Sequence, residues 1–182
     1  MNINNISSST SAVWLKKPHA SYAYHRWLVD DQSLTAKLQR RYPDFAVKSL
    51  SNTYAKPLKG EASQLKLIGV TTALIREVLL YGSGYPLVFA HSVLPRSSLR
   101  GDWRGLGRLG NKPLGATLFS NPKVKRTRLN YKKISINHPL YKKAAQYLKE
   151  KPAFLWARRS VFSLKSSRIM VTEVLLPQLL AK

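Results

Sequence analysis

Two charged residues sit in the middle of one apolar run, Arg76 and Glu77 in "TTALIREVLLYG" (Thr71 to Gly82), and a third, Glu173, sits in "RIMVTEVLLP" near the end of the chain. A guanidinium offers a planar fork of donors that fits a carboxylate, and a carboxyl group can meet a hydroxyl or ether oxygen. Both runs read as β-strands, in which successive side chains point to opposite faces. Leu74, Arg76, Val78 and Leu80 then share one face and Ile75, Glu77, Leu79 and Tyr81 the other, so the adjacent charges do not pair with each other. Ile169, Val171, Glu173 and Leu175 form a similar row containing one acid. Two arrangements would satisfy Arg76 and Glu173. Either they pair inside the sheet, or they face a cavity where a ligand carboxylate meets Arg76 in a bidentate contact and a ligand hydroxyl or ether meets Glu173. In the second case Glu77 is exposed or conventionally paired.

Backbone groups add to these side chains. In "KPLGATLF" (Lys112 to Phe119), Pro113 is expected as the first residue of a short helix, whose unpaired N–H groups and positive dipole end would let the amide of Leu114 hold an anion. Leu34, just after Ser33 in "SLTAKL", occupies the equivalent place on an earlier helix. Other chemistries find less support. "GLGRLG" (Gly105 to Gly110) matches a dinucleotide-binding spacing but lacks a preceding strand and an acid some 20 residues on, so it reads as a flexible loop or lid. His19, His25, His91 and His138 show no i, i+4 pairing, and no metal site is expected. Ser83, in "GSG", reads as a hairpin turn rather than a nucleophile.

The elements that must position these groups follow from periodicity. Leu34, Leu38 and Tyr42 recur at helical spacing after the capping types Asp30, Asp31 and Ser33, and Pro43 ends that helix. Strand-like stretches run from about Phe45 to Tyr54, Thr72 to Tyr81, Tyr85 to Leu94, Val124 to Ile136, Leu155 to Lys165 and Arg168 to Leu176. Gly82-Ser83-Gly84 and Ser166-Ser167 are short enough to force antiparallel hairpins. A last helix fits "HPLYKKAAQYLKEK", with Pro139 at its start and Leu140, Ala144, Tyr147 and Leu148 as its stripe. The sum is an α+β domain, an antiparallel sheet with helices on one face or at its edges.

The 182 residues suffice for one domain, and a 44% hydrophobic fraction supplies its core. Without Cys there is no disulfide, thiolate metal site or Cys nucleophile. The start, "MNINNISSSTSAVW", resembles no targeting segment, no apolar run is long enough to span a bilayer, and a cytoplasmic location is expected. Lys and Arg total 31 against eight acids, a net charge of +23. Fourteen of those bases lie between Lys123 and Arg168, against the single acid Glu150. Anionic partners are implied, whether nucleic acid, membrane or a small substrate.

Taken in order, "REVLL", a Gly turn, "YPLVFAHSVLP", "LGNKPLGATLF", "LWARRS" and "TEVLLP" resemble the chorismate pyruvate-lyases of bacterial ubiquinone synthesis. The resemblance is dense over Leu74 to Phe119 and Leu155 to Pro177. It implies a six-stranded antiparallel sheet with helices on one face and two helical flaps over an internal ligand cavity. It also implies the reaction, in which chorismate loses its enolpyruvyl group as pyruvate and leaves 4-hydroxybenzoate, with no cofactor or metal. Carried over, Arg76 binds the ring carboxylate with the main chain at Leu34 and Leu114. Glu173 faces the hydroxyl and ether side as proton donor or shuttle.

On this reading residues 1–26 are a flexible start and 27–182 the lyase-like domain. A basic insertion at about 123–151 is either a surface ornament or a contact for an anionic membrane. A monomer is expected, with nucleic acid not a partner. Two other readings compete: a non-enzymatic ligand sensor of the same fold, as in certain transcription regulators, and a basic nucleic-acid-binding module. Against the sensor, only 26 residues precede Trp27, too few for a helix-turn-helix domain.

Overall fold

A computed structural model of the chain describes residues 13–69 and 72–181. Its strands are β1 (Ala46–Ala55), β2 (Ala73–Gly82), β3 (Tyr85–Pro95), β4 (Lys125–Arg126), β5 (Asn130–Ser135), β6 (Phe154–Leu164) and β7 (Ser167–Leu175). They form one antiparallel sheet in the order β1-β2-β3-β7-β6, with β4 and β5 following one another along the outer edge of β6. The stretch expected as a single strand over 124–136 thus breaks in two, and six positions across the sheet are filled by seven strands. At the β2–β3 turn Ser83 and Gly84 take φ of 53° and 74°, as a two-residue hairpin turn requires. The Asp44 carboxylate accepts both of their amides, at 2.8 and 3.0 Å.

The helices are α1 (His25–Leu28), α2 (Leu34–Arg41), α3 (Glu61–Gln64), α4 (Arg96–Arg100), α5 (Leu114–Ser120) and α6 (Pro139–Ala144). They cover both faces of the sheet rather than gathering on one. Trp27 and Leu28 of α1 and Leu34 and Leu38 of α2 pack on Val78, Leu80, Val88 and Leu175, while α5 packs nearby through Leu114 and Leu118. On the reverse side Leu140, Tyr141 and Ala144 of α6 pack on Leu79, Phe89 and Val174. The physical reason lies in the strands, which are apolar on both sides and must be covered on both.

The basic segment at 123–151 is built into this architecture, contrary to the expectation of a surface ornament. It contributes β4, β5 and α6, and it buries Tyr131, Ile134, Leu140, Tyr141 and Ala144. Its cations Lys123, Lys125, Arg128, Lys142, Lys149 and Lys151 remain exposed. The expected flexible start falls partly on residues 1–12, which lie outside those described. Further on, Leu15 exchanges two backbone hydrogen bonds with Tyr131, at 2.7 and 2.9 Å.

Candidate active site

The sheet register aligns the charged residues in rows. On the face under α2 and α5, Arg76, Ser92, Val171 and Ser160 stand side by side on β2, β3, β7 and β6. The next row along the strands is Val78, Ala90, Glu173 and Arg158. Arg76 and Glu173 therefore share a face, as their places in the alternation require, but they do not pair.

Arg76 is 3% exposed, and its Nη2 donates to the carbonyls of Gly110, at 2.9 Å, and Lys112, at 2.8 Å. No carboxylate lies within ion-pair distance of it among the described residues. Burial pulls its pKa below the ordinary arginine value, yet a guanidinium stays charged in proteins. Both hydrogens of Nη2 are taken, so Nε and Nη1 are the donors left for a ligand. A two-pronged contact along the Nε–Nη2 edge would require the Gly110–Lys112 loop to release one carbonyl.

Glu173 finds its partner in Arg158, which the sequence reading did not single out. Arg158 Nε donates to Glu173 Oε2 at 2.6 Å, and Nη1 donates to the carbonyls of Trp27, at 2.8 Å, and Asp30, at 2.5 Å. The guanidinium, 1% exposed, thus anchors the segment leaving the C-terminus of α1, where a cation is favoured. It also fixes the Glu173 side chain. Glu173 Oε1 has no hydrogen-bond partner among the described residues.

Two helix N-termini meet above these rows. Ser33 caps α2 by accepting from the amide of Ala36 at 3.2 Å, and Pro113, one residue earlier than expected for a first helical position, precedes α5 without a side-chain cap. Neither the Leu34 nor the Leu114 amide has a protein acceptor among the described residues. Gly115 lets the helices approach: a Cβ there would stand 2.9 Å from Thr35 Oγ1 and 3.2 Å from Ser33 Oγ.

Leu34, Arg76, Leu114 and Glu173 all line one cavity, so the structure brings together every site residue expected from the sequence. Val78, Leu80, Leu118 and Phe162 give it apolar walls, and Arg126 contributes a second guanidinium. Its free space is about 40 Å³, enough for water but well short of the roughly 150 Å³ that accommodates a benzene ring. A cyclic ligand must therefore displace part of the wall. The strands of the floor are held by ladders on both sides, and α2 and α5 pack over the site.

Glu77, on the reverse face, is buried as well as paired, which removes the alternative of an exposed side chain. Its Oε1 accepts from Lys143 Nζ at 2.5 Å and lies 2.9 Å from Nδ1 of His91, whose Nε2 is 3.3 Å from Glu61 Oε1. Burial alone would raise the Glu77 pKa, but the hydrogen bonds from His91 and Lys143 lower it. For His91 burial works downward, and the two carboxylates beside the ring, Glu61 at 3.3 Å and the hydrogen-bonded Glu77, overcome it to hold the ring above its ordinary value.

Arg158 left a signal in the sequence, since Trp156, Arg158, Ser160 and Phe162 alternate onto one face with a cation among apolar neighbours. Arg126 left none, being one base among many. "GLGRLG" forms a loop with a short 3₁₀ turn at Leu106–Arg108, and its Gly110 carbonyl holds Arg76. Among the described residues no group of three or more His, Asp or Glu is placed to hold a metal ion, and no helix is long and apolar enough to cross a membrane.

Comparison with known proteins adds an independent line. Residues 9–182 match the chorismate lyase family. A protein of Thiobacillus denitrificans named "Probable chorismate pyruvate-lyase" is 45% identical over 170 residues, 92% of this chain and 90% of its own. One of the same name in Nitrosospira multiformis is 48% identical over 155 residues, 85% of this chain and 86% of its own. Among solved structures, the effector domain of PhnF from Mycobacterium smegmatis aligns with a TM-score of 0.55 over 81% of this chain and 90% of that one, at 12% identity. The ligand-binding domain of a GntR-family regulator from Bordetella bronchiseptica aligns with a TM-score of 0.53 over 74% and 85%, at 18% identity. At such identities these two share the fold alone.

Proposed function

The chain belongs to the chorismate lyase family, and we propose on that premise that it is a lyase converting chorismate to 4-hydroxybenzoate and pyruvate. The observation that carries this reading is, among the described residues, a buried guanidinium without a counter-ion and a carboxyl group with one free oxygen, lining the same cavity beneath two unpartnered helix amides. A small carboxylate-bearing ring answers all of these groups together. In this reading Arg76 and the amides of Leu34 and Leu114 hold the ring carboxylate. Glu173, fixed by Arg158, accepts from the ring hydroxyl and relays a proton on the ether side. The helices α2 and α5 are the flaps that part to admit substrate.

The reaction asks for little beyond orientation. The ring loses its enolpyruvyl group and one hydrogen from the carbon that carries the hydroxyl, and pyruvate gains a hydrogen at its methyl group. The atoms balance without water or an electron acceptor, and the new aromatic ring drives the elimination. A site that holds the ether bond in line for cleavage and shields it from water then accounts for catalysis. The same balance supports a cofactor-free enzyme, and the family resemblance is the ground for placing it at the first step of ubiquinone synthesis, as a cytoplasmic monomer.

The exposed cations of the 123–151 segment support a further role in peripheral contact with an anionic membrane; flotation that shows no preference for anionic vesicles at physiological salt removes it. The main reading is tested by adding the purified chain to chorismate. Appearance of 4-hydroxybenzoate absorbance with stoichiometric pyruvate is expected, and an absence of turnover defeats the proposal.

A further inference from the structure

Arg126 is a second mostly buried guanidinium on the cavity wall, and nothing above gives it a ligand. It stands at the opposite end of the floor from Arg76. The row Arg76, Ser92, Val171, Ser160 crosses three strand spacings, about 14 Å between the end Cα atoms, and Arg126 Nε donates to Ser160 Oγ at 2.8 Å. Nη1 donates to the carbonyl of Asp31 at 2.6 Å. The guanidinium carbon lies 5.4 Å from the centre of the Phe119 ring and 5.1 Å from that of Phe162. Two hydrogen bonds and two rings fix the plane of the group. Nη2 has no acceptor among the described residues, and no carboxylate stands within ion-pair distance.

The neighbouring acids do not complete it. Glu173 and Asp31 both influence Arg126 electrostatically, but the Glu173 hydrogen bond goes to Arg158 and Asp31 gives Arg126 only its backbone carbonyl. Arg76 and Arg126 are thus the guanidiniums on the cavity wall without an ion-pair partner among the described residues, and they stand at separate ends. A monocarboxylate satisfies one of them. A dicarboxylate satisfies both.

We propose that Arg126 binds the carboxylate of the enolpyruvyl arm, so that Arg76 recognises the carboxylate that stays with the ring and Arg126 the one that leaves. This rests on the assignment of chorismate as substrate. As the ether bond breaks, negative charge moves onto the departing fragment next to Arg126, which places the residue to favour the transition state as well as the bound substrate. The aromatic product keeps only the Arg76 contact, and substrate and product are thereby told apart at the Arg126 end.

The test compares Arg126→Gln and Arg126→Lys with the unaltered protein, measuring kcat/KM for chorismate by pyruvate release and Kd for 4-hydroxybenzoate by calorimetry. Arg126→Gln is expected to lower kcat/KM about 10- to 100-fold while leaving product affinity within about twofold, and Arg126→Lys is expected to recover part of the loss. A kcat/KM within twofold of the unaltered protein, or a parallel loss of product affinity, overturns the proposal. A second measurement needs no variant. In the unaltered protein, 3-(carboxymethoxy)-4-hydroxybenzoate is expected to bind at least about tenfold tighter than its carbamoyl isostere; equal binding overturns the assignment. If the unaltered protein does not turn over chorismate, the substrate reading fails, and the isostere pair still reports whether this end of the cavity takes a carboxylate.

Discussion

The two faces of the central strands carry adjacent charges to opposite ends. Arg76 and Glu77 are neighbours in β2, both nearly excluded from water. On the cavity face Arg76 is satisfied by two backbone carbonyls and, among the described residues, by no acid, leaving positive charge for a guest to neutralise. On the reverse face Glu77 is closed off by the protein itself. His91, Lys143 and, through the imidazole, Glu61 complete a cluster joining β2, β3, α3 and α6. Burial therefore does not mark a functional residue. What separates the faces is whether the partners a buried charge needs come from the same chain.

The contrast is sharpened first where the largest change is expected. Glu77→Gln removes the carboxylate between His91 and Lys143, and leaving a buried group unpaired lowers stability by about 3 kcal/mol. The urea midpoint should fall accordingly, with affinity for 4-hydroxybenzoate within about twofold of the unaltered protein. A variant that keeps its midpoint but loses the ligand would break the division of labour. Arg76→Ala is expected to do the reverse, weakening 4-hydroxybenzoate binding about 10- to 100-fold with a smaller shift in midpoint. Unchanged affinity in calorimetry would remove Arg76 from the ligand.

The smallest effect concerns pH and belongs to the reverse side. His138 Nδ1 accepts from the amide of Leu140 at 3.2 Å and caps α6, a task only the unprotonated nitrogen performs. Burial, assisted by Lys132, pushes its pKa from 6.5 down to about 4. A histidine depressed on folding stabilises above its unfolded value and loses that contribution as the pH falls from about 6.5 towards 4. His91 has the opposite sign. Its raised pKa contributes fully below 6.5 and fades as the pH climbs through the folded value. His138→Asn, which keeps a capping acceptor without titrating, should flatten the acid limb of urea midpoints measured between pH 4 and 7 and leave ligand affinity alone. An unaltered acid limb would exclude His138 as its source.

Much of this arrangement was legible in local pattern. Period-two alternation placed Arg76 and Glu173 on one face and Glu77 on the other, since side-chain direction in a strand depends only on position along it. The hairpin at Ser83-Gly84 and the cap at Ser33 were readable for the same local reason. The break between β4 and β5 was not, because both halves have strand character and their pairing with β6 decides where the ladder stops. The covering of both faces was also missed, as α6 reads the same whichever side of the sheet it joins.

By itself the sequence determined the strands, the facing of their charges and a family whose signature residues gather at one cavity. Only the tertiary structure decided the pairings: Arg158 rather than Arg76 for Glu173, the Gly110–Lys112 carbonyls for Arg76, and a place for Arg126 among Phe119, Phe162 and Ser160. The reason is one of range. The direction of a side chain is set by its own backbone, whereas the partner that stabilises a buried charge comes from whichever distant segment the packing of the whole chain brings within 3 Å of it.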